Sequence, residues 1–358
     1  MMPLATAEKI VDFIFQYALA NGINEKLDIG FFGGEPLTEM GLIKNITRII
    51  KGHEAYDKFP VSISLVSNGT ILSDSILTFL KENKIELCIS CDGPPAIQDA
   101  SRHFPDGRGS SAIVEKNIKR AIKDFPFLPV NAVFSPCSLS HLPEIVDYLA
   151  SLGVRNIDLN PNISARWTKN DADMLPGIID CLGKKYVEFY KRGEPRYINL
   201  IDGKITVILR EGYRQLEKCR MGKGEFAFAP SGNIYPCERF IGPDDGVTHC
   251  LGNIHKGFTA NTTCNGISNK VINNECLACG LTEYCMNWCG CTNYFSTGNY
   301  NLVSPFMCAF EKALINTSFR IIQDMDYNSL NFSDHLAGAP LTNMIGSIYK
   351  EGLNNPGS

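Results

Sequence analysis

Short apolar runs and helix-patterned stretches alternate through the first half of the chain. LDIGFF (27 to 32), VSISLV (61 to 66), IELCIS (85 to 90), LPVNAVF (128 to 134) and NIDLN (156 to 160) all have strand length, and most are rich in β-branched or aromatic residues. Between them apolar residues recur at helical spacing: Val114, Ile118, Ala121, Ile122 and Phe125 in one stretch, then Leu142, Ile145, Val146, Leu149 and Leu152, closed by Gly153 as a C-cap. The opening stretch puts Ile10, Phe13, Ile14 and Tyr17 on one helical face. This alternation predicts βαβ units and a parallel sheet, open or closed into a barrel. Ligands of such sheets bind at the carboxyl ends of the strands.

Three successive strands run into polar turns there: GGEP (Gly33 to Pro36), SNGT (Ser67 to Thr70) and CDGP (Cys91 to Pro94). Each alone reads as an ordinary turn. Glutamate is not a favoured turn residue, however, and Glu35 between Gly34 and Pro36 reads as an acceptor placed for an ammonium group. On the third strand Cys88, Ser90 and Asp92 point one way and Ile89 and Cys91 the other. The two cysteines therefore read as core rather than as one metal site, with Ser90 and Asp92 as the polar pair facing the ligand. Arg102, on the loop that follows, either reaches a carboxylate or is solvated.

The chain has 358 residues, 44% hydrophobic and 20% charged, with a formal net charge of −4. It has material for one large or two modest globular domains. Without Lys/Arg runs, neither nucleic acid nor an anionic membrane is an expected partner. The start, MMPLATAEKIVDFIFQYALANG, is interrupted by Glu8, Lys9 and Asp12 and lacks a basic region ahead of an apolar stretch, so it is no secretion signal. No apolar run approaches the roughly 18 residues of a membrane span. A cytoplasmic protein is expected, in which thiols stay reduced and 14 cysteines hold metal or do redox chemistry. No H-E-x-x-H, G-x-S-x-G or Walker loop is present.

From Cys219 the text changes character. CRMGKGEFAFAPSGNIYPC holds two short alternating runs around SGN, a hairpin signal that brings Cys219 and Cys237 together with Gly232 at the turn. Cys276, Cys279, Cys285 and Cys289 follow in C-x2-C-x5-C-x3-C spacing, and Cys308 stands at the start of a last helix. Tetrahedral zinc also favours C-x2-C. The seven cysteines do not divide into clean pairs, and irregular four-thiolate cages suit iron–sulfur clusters. Zinc would moreover leave the first half without an electron supply.

The turns Gly33-Gly34-Glu35-Pro36, Ser-Asn-Gly and Ser90-x-Asp92-Gly93-Pro94 with Arg102 resemble the S-adenosylmethionine barrel of radical SAM enzymes. The pattern C-x12-G-x4-C from Cys219 through Gly232 to Cys237, then C-x2-C-x5-C-x3-C, then Cys308, resembles the SPASM extension found in peptide maturases and anaerobic sulfatase activators. The resemblance implies an α/β fold: a partial (β/α)6 barrel missing its first strand over residues 1–200, a small cysteine-rich SPASM domain with a β-hairpin and helices over 201–325, and a C-terminal tail over 326–358. Gly33, Gly34 and Glu35 would hold the methionine end of S-adenosylmethionine, with Ser90 at the ribose, Asp92 beside it and Arg102 at the carboxylate. One auxiliary 4Fe–4S cluster would use Cys276, Cys279, Cys285 and Cys308. The other would use Cys219, Cys237 and Cys289, its fourth iron either open or closed by Cys291, Cys250 or Cys264. Glu238 stands where the sulfatase activators carry a proton-accepting aspartate; its other reading is a surface carboxylate beside a cysteine.

The family also carries a C-x3-C-x2-C motif after its first barrel strand, and no such motif occurs in this sequence. The expectation is a chain that begins late, with an uncovered sheet edge at LDIGFF and no catalysis of the family reaction by itself; the alternative is a relative that no longer makes radicals. The implied activity is an oxidoreductase that modifies a peptide or protein side chain through a 5′-deoxyadenosyl radical. Its partners would be that substrate and an electron donor such as flavodoxin or ferredoxin. The competing function is a non-catalytic iron–sulfur or zinc module that binds a peptide.

Overall fold

A computed structural model describes residues 1–259 and 271–325. The tail expected at 326–358 and Cys264 lie outside the described residues. Among these residues no helix is long and apolar enough to cross a membrane.

Six parallel strands form the main sheet: β1 (Leu27–Phe31), β2 (Val61–Ser67), β3 (Ile85–Ser90), β4 (Pro129–Phe134), β5 (Asn156–Pro161) and β6 (Tyr197–Ile198), in spatial order β1-β2-β3-β4-β5-β6. Sequential neighbours pair because each strand returns through a helix, the connection that parallel strands require. Five of the six coincide with the apolar runs of the sequence. The sixth, two residues long, carries too little pattern to be read. β1 is the terminal strand of the order, and Phe32 just beyond it is 63% exposed.

Chain contacts divide the molecule into two units that interleave in sequence. The first comprises the described residues of 1–88, 216–272 and 288–302. Its opening helix, Leu4–Ala20, buries Ile10, Val11, Phe15 and Ala18, and Phe15 stacks on His53 with centroids 4.3 Å apart. Phe13 and Tyr17 turn instead to Phe226, with centroids 5.9 and 5.0 Å away. The expected face of Ile10, Phe13, Ile14 and Tyr17 is thus split between two packing partners. The same unit holds an antiparallel sheet in the order β10-β9-β8-β7, from β7 (Ala227–Phe228), β8 (Asn233–Tyr235), β9 (Gly252–Asn253) and β10 (Gly257–Phe258). β7 and β8 form the hairpin expected around Ser231 to Asn233. At its turn Gly232 has φ +86°, and a Cβ there would lie 2.9 Å from Ile254 Cγ2, so only glycine fits.

The second unit comprises the described residues of 89–215, 273–287 and 303–358. Two long helices, Lys169–Lys191 and Pro305–Asp324, approach closely: a Cβ on Gly183 would stand 2.5 Å from Thr317 Cγ2. Trp167 stacks on Phe306 at 4.0 Å, and Arg320 bridges to Asp180 at 2.6 Å. Helix Leu142–Ser151 ends through Leu152 into Gly153 at φ +89°, the left-handed stop expected of it.

Candidate functional site

The GGEP turn follows β1 directly. Gly33 has φ +147°, and a Cβ on either Gly33 or Gly34 would meet no protein atom within 4 Å. Glu35 is held by protein donors: Leu37 N and Ser67 Oγ lie 3.0 and 3.1 Å from Oε1, and Asn68 N lies 2.7 Å from Oε2. Its carboxylate therefore ties the GGEP turn to the SNGT turn. That role was not visible in sequence, because Ser67 and Asn68 stand 32 and 33 positions from Glu35.

In the second unit Ser90 and Asp92 are both buried at the end of β3. Asp92 Oδ1 accepts from Val133 N at 3.0 Å, while Oδ2 accepts from Ser101 Oγ at 2.7 Å and from Arg102 Nε at 2.8 Å. Arg102, partly exposed, is thus oriented by a buried carboxylate of its own chain. Gly93 fits here because its φ is +136° and a Cβ would fall 2.8 Å from Ile145 Cγ1. Cys91 is buried, and burial holds its thiol up at about 11, as suits a core cysteine.

Of the nine described cysteines from Cys219 onward, Cys219, Cys237, Cys289 and Cys291 lie in the first unit, which also holds Cys250, and Cys276, Cys279, Cys285 and Cys308 lie in the second. Thirteen cysteines are described and all are free thiols. In the first unit Cys237 and Cys291 are buried with Met221 and Phe240, and Cys219 and Cys289 pack against them. Cys289 Sγ lies 3.5 Å from Cys291 Sγ. Cys291 also hydrogen-bonds Cys237, and Arg239 Nη1 reaches the Cys291 sulfur at 3.8 Å. Cys219 is raised by burial and by neighbouring Cys289, while the backbone N–H groups of Met221 and Gly290 reach its sulfur. Cys237 also contacts the Glu238 carboxylate at 3.1 Å, and Glu225, Cys237 and Glu238 offer ligand atoms within 4.8 Å of one another.

In the second unit Cys276, Cys279 and Cys308 stand beside one another, and Cys285 lies against Glu311. Asn273 exchanges two side-chain hydrogen bonds with the backbone of Val303, at 3.1 and 2.9 Å, which fixes the 273–287 segment against the start of the last helix. Cys276 is pushed up by burial and by Cys308 and Cys279 beside it. The Thr282 hydroxyl lies 3.0 and 2.8 Å from the carbonyls of Cys276 and Cys279. Burial and the carboxylate of Glu311 raise Cys285 strongly, and Glu311 Oε2 also accepts from Met286 N at 2.6 Å. Glu311 in turn pairs with buried Lys204 at 2.6 Å.

Thiols crowded this way repel one another once ionised. Crowded thiols of this kind are the donor set that an iron–sulfur core takes up as thiolates. Soft sulfur donors without a histidine among them suit such a core better than a hard cation.

No protein-family model matches the chain. It is 24% identical over 325 residues to the radical SAM cyclopropyl synthase TigE of Paramaledivibacter caminithermalis, an alignment covering 86% of this chain and 62% of TigE. The chain thus spans under two thirds of that relative. It is 22% identical over 320 residues to the serine-type anaerobic sulfatase-maturating enzyme of Klebsiella aerogenes, covering 86% of this chain and 77% of that one. In fold it is similar to anSMEcpe with bound AdoMet, with a TM-score of 0.73, 21% identity, and 90% and 89% of the two chains covered. That protein is also known with AdoMet and the Cp18Cys peptide bound. The chain is thus similar in sequence to a radical SAM cyclopropyl synthase and to an anaerobic sulfatase-maturating enzyme, and it has the fold of anSMEcpe.

Proposed function

We propose that this chain is the substrate-modifying body of a radical SAM/SPASM oxidoreductase that matures a peptide or protein side chain. The observation that carries the reading is the sorting of eight thiols into two groups, Cys219, Cys237, Cys289 and Cys291 in one unit and Cys276, Cys279, Cys285 and Cys308 in the other. When bound, the two clusters would supply a sink for the electron left on the substrate; the 5′-deoxyadenosyl radical would come from S-adenosylmethionine reduced at a further cluster, whose C-x3-C-x2-C motif does not occur in this sequence.

The residues of the chain bind, orient and move protons. Gly33 and Gly34 open the turn so that its backbone can approach the methionine end of the cofactor, and Glu35 sets the shape of that turn. Ser90 meets the ribose, and Arg102, aimed by Asp92, meets the carboxylate. Glu238, in contact with Cys237 and partly exposed, takes the proton from the substrate group being oxidised. The substrate is a peptide or protein, in keeping with the Cp18Cys peptide held by anSMEcpe. Electrons come from a small carrier such as flavodoxin or ferredoxin, and the free thiols suit a cytoplasmic setting.

Anaerobic reconstitution with ferrous iron and sulfide tests the reading. The expected product is brown, with acid-labile sulfide for two 4Fe–4S clusters, and it retains S-adenosylmethionine in equilibrium dialysis. A colourless protein without sulfide overturns it.

A further inference from the structure

We infer that Cys291 is the fourth ligand of the cluster held by Cys219, Cys237 and Cys289, so that this cluster has a full set of protein thiolates and no open iron. The inference rests on the iron–sulfur reading above and deepens it. It assigns the cluster to electron transfer rather than to coordination of the substrate.

Four observations converge on one sulfur. Cys291 is only 5% exposed, so its thiol faces the interior of its unit rather than solvent. It lies 3.5 Å from Cys289 Sγ and hydrogen-bonds Cys237, which makes it the sulfur that links two of the three other ligands. Cys219 is joined to the same group through Gly290, the residue between Cys289 and Cys291. Arg239 Nη1 approaches the Cys291 sulfur at 3.8 Å, a cation placed against a group that becomes anionic on ligation. On ligation the Cys291 S–H bond breaks, an Fe–S bond forms and the proton passes to solvent, with no change in oxidation state.

The other candidates fit less well. Cys250 Sγ is engaged with Gly252 O, 3.1 Å away. Glu225 reaches Cys237, but its oxygen is a harder donor than the available thiolate. Cys264 lies outside the described residues and enters the test directly.

The experiment uses the 358-residue chain reconstituted anaerobically with iron and sulfide, as wild type and as Cys291→Ala, Cys291→Ser, Cys250→Ala, Cys264→Ala and Cys219→Ala. Iron and sulfide contents are measured, together with the electron paramagnetic resonance of the reduced protein with and without cyanide, a probe for open iron. The expected wild type carries two cubanes indifferent to cyanide. Cys291→Ala is expected to lose iron as Cys219→Ala does, or to keep a cluster whose spectrum responds to cyanide. Cys291→Ser, the near-isosteric variant that guards against misfolding, keeps iron with a changed spectrum, and Cys250→Ala and Cys264→Ala match wild type. The assignment is overturned by Cys291 variants identical to wild type in iron and spectrum, by a cyanide-sensitive wild type, or by iron loss in Cys250→Ala or Cys264→Ala. A wild type without labile sulfide overturns instead the reading on which it rests.

Discussion

Lys204 Nζ lies 2.6 Å from Glu311 Oε2, and both side chains are almost wholly buried. Burial pulls the Lys204 ammonium down in pKa, but Glu311 and Tyr213 more than offset it. The same lysine also donates to Tyr284 O at 3.0 Å, one residue before Cys285. The pair therefore anchors both sides of Cys285, a proposed cluster ligand. Lys204→Met should cost about 3–5 kcal/mol, because it strands a buried carboxylate. In chemical denaturation the double variant Lys204→Met/Glu311→Met should be less destabilised than the sum of its singles. Simple additivity would show that the pair is not coupled.

Asp158 predicts a pH dependence in the second unit. Burial holds its carboxyl up at about 6, and Oδ1 has no hydrogen-bond partner among the described residues. In the unfolded chain an aspartate titrates near 4. Between these values the unfolded state has released the proton while the folded state keeps it, so stability falls as pH rises from about 4 to about 6. Above that window the loss levels off near 3 kcal/mol. Asp158→Asn should flatten this window and raise the denaturation midpoint at pH 7.5. Equal slopes in the two proteins across pH 4 to 6 would remove Asp158 as the cause.

Much of this was legible in sequence, and the limits have physical reasons. β1 to β5 were readable because apolar residues recur at alternate positions in each, and β2 to β5 bury most of them. Gly232 was readable because its spacing from Cys219 and Cys237 is set by a hairpin, a local structure. The interleaving of the two units was not, since residues 273–287 and 288–302 join different units with no shift in composition between them. Nor was the Lys204–Glu311 pair, whose members stand 107 positions apart in helices that otherwise pack apolar faces. Arg102 was ambiguous for the same reason: Asp92 was assigned to the ligand, whereas the fold also uses it to aim the arginine.

That double use gives a third prediction. Asp92→Asn keeps the size of the side chain but removes the charge that holds Arg102 Nε. A hydrogen bond to a charged group contributes roughly 1.5–3 kcal/mol. S-adenosylmethionine binding should therefore weaken by about ten- to a hundred-fold. Equilibrium dialysis checks it, and unchanged affinity would separate Arg102 from the cofactor.

On the proposed reading, Gly232 links backbone conformation to the iron held in the first unit. Gly232→Ala places a β-carbon 2.9 Å from Ile254 in a left-handed turn, a strain on the order of 1–3 kcal/mol. The turn fixes β8, and β8 leads directly into Cys237. The variant should thus lose iron from the cluster of the first unit while keeping that of the second. Iron analysis with sulfide counting reads this out, and equal loss from both clusters would point to general unfolding.

Arg239 should set the potential of the cluster proposed for Cys219, Cys237, Cys289 and Cys291. Burial lowers its pKa, but Cys291, Cys289, Glu238 and Cys237 around it outweigh that effect, so the guanidinium stays charged against the sulfurs. A positive charge near a cluster favours its reduced, more negative state, and net charge is one of the factors that fix such potentials. Arg239→Gln keeps a hydrogen-bond donor and removes the charge. Its cluster should be harder to reduce, with a more negative midpoint in spectroelectrochemical titration and an unaltered iron count. The cluster proposed for Cys276, Cys279, Cys285 and Cys308 should titrate as in wild type, which makes it the internal standard. A shift of both midpoints by the same amount would mean that Arg239 acts on the protein at large and not on the sulfurs it touches.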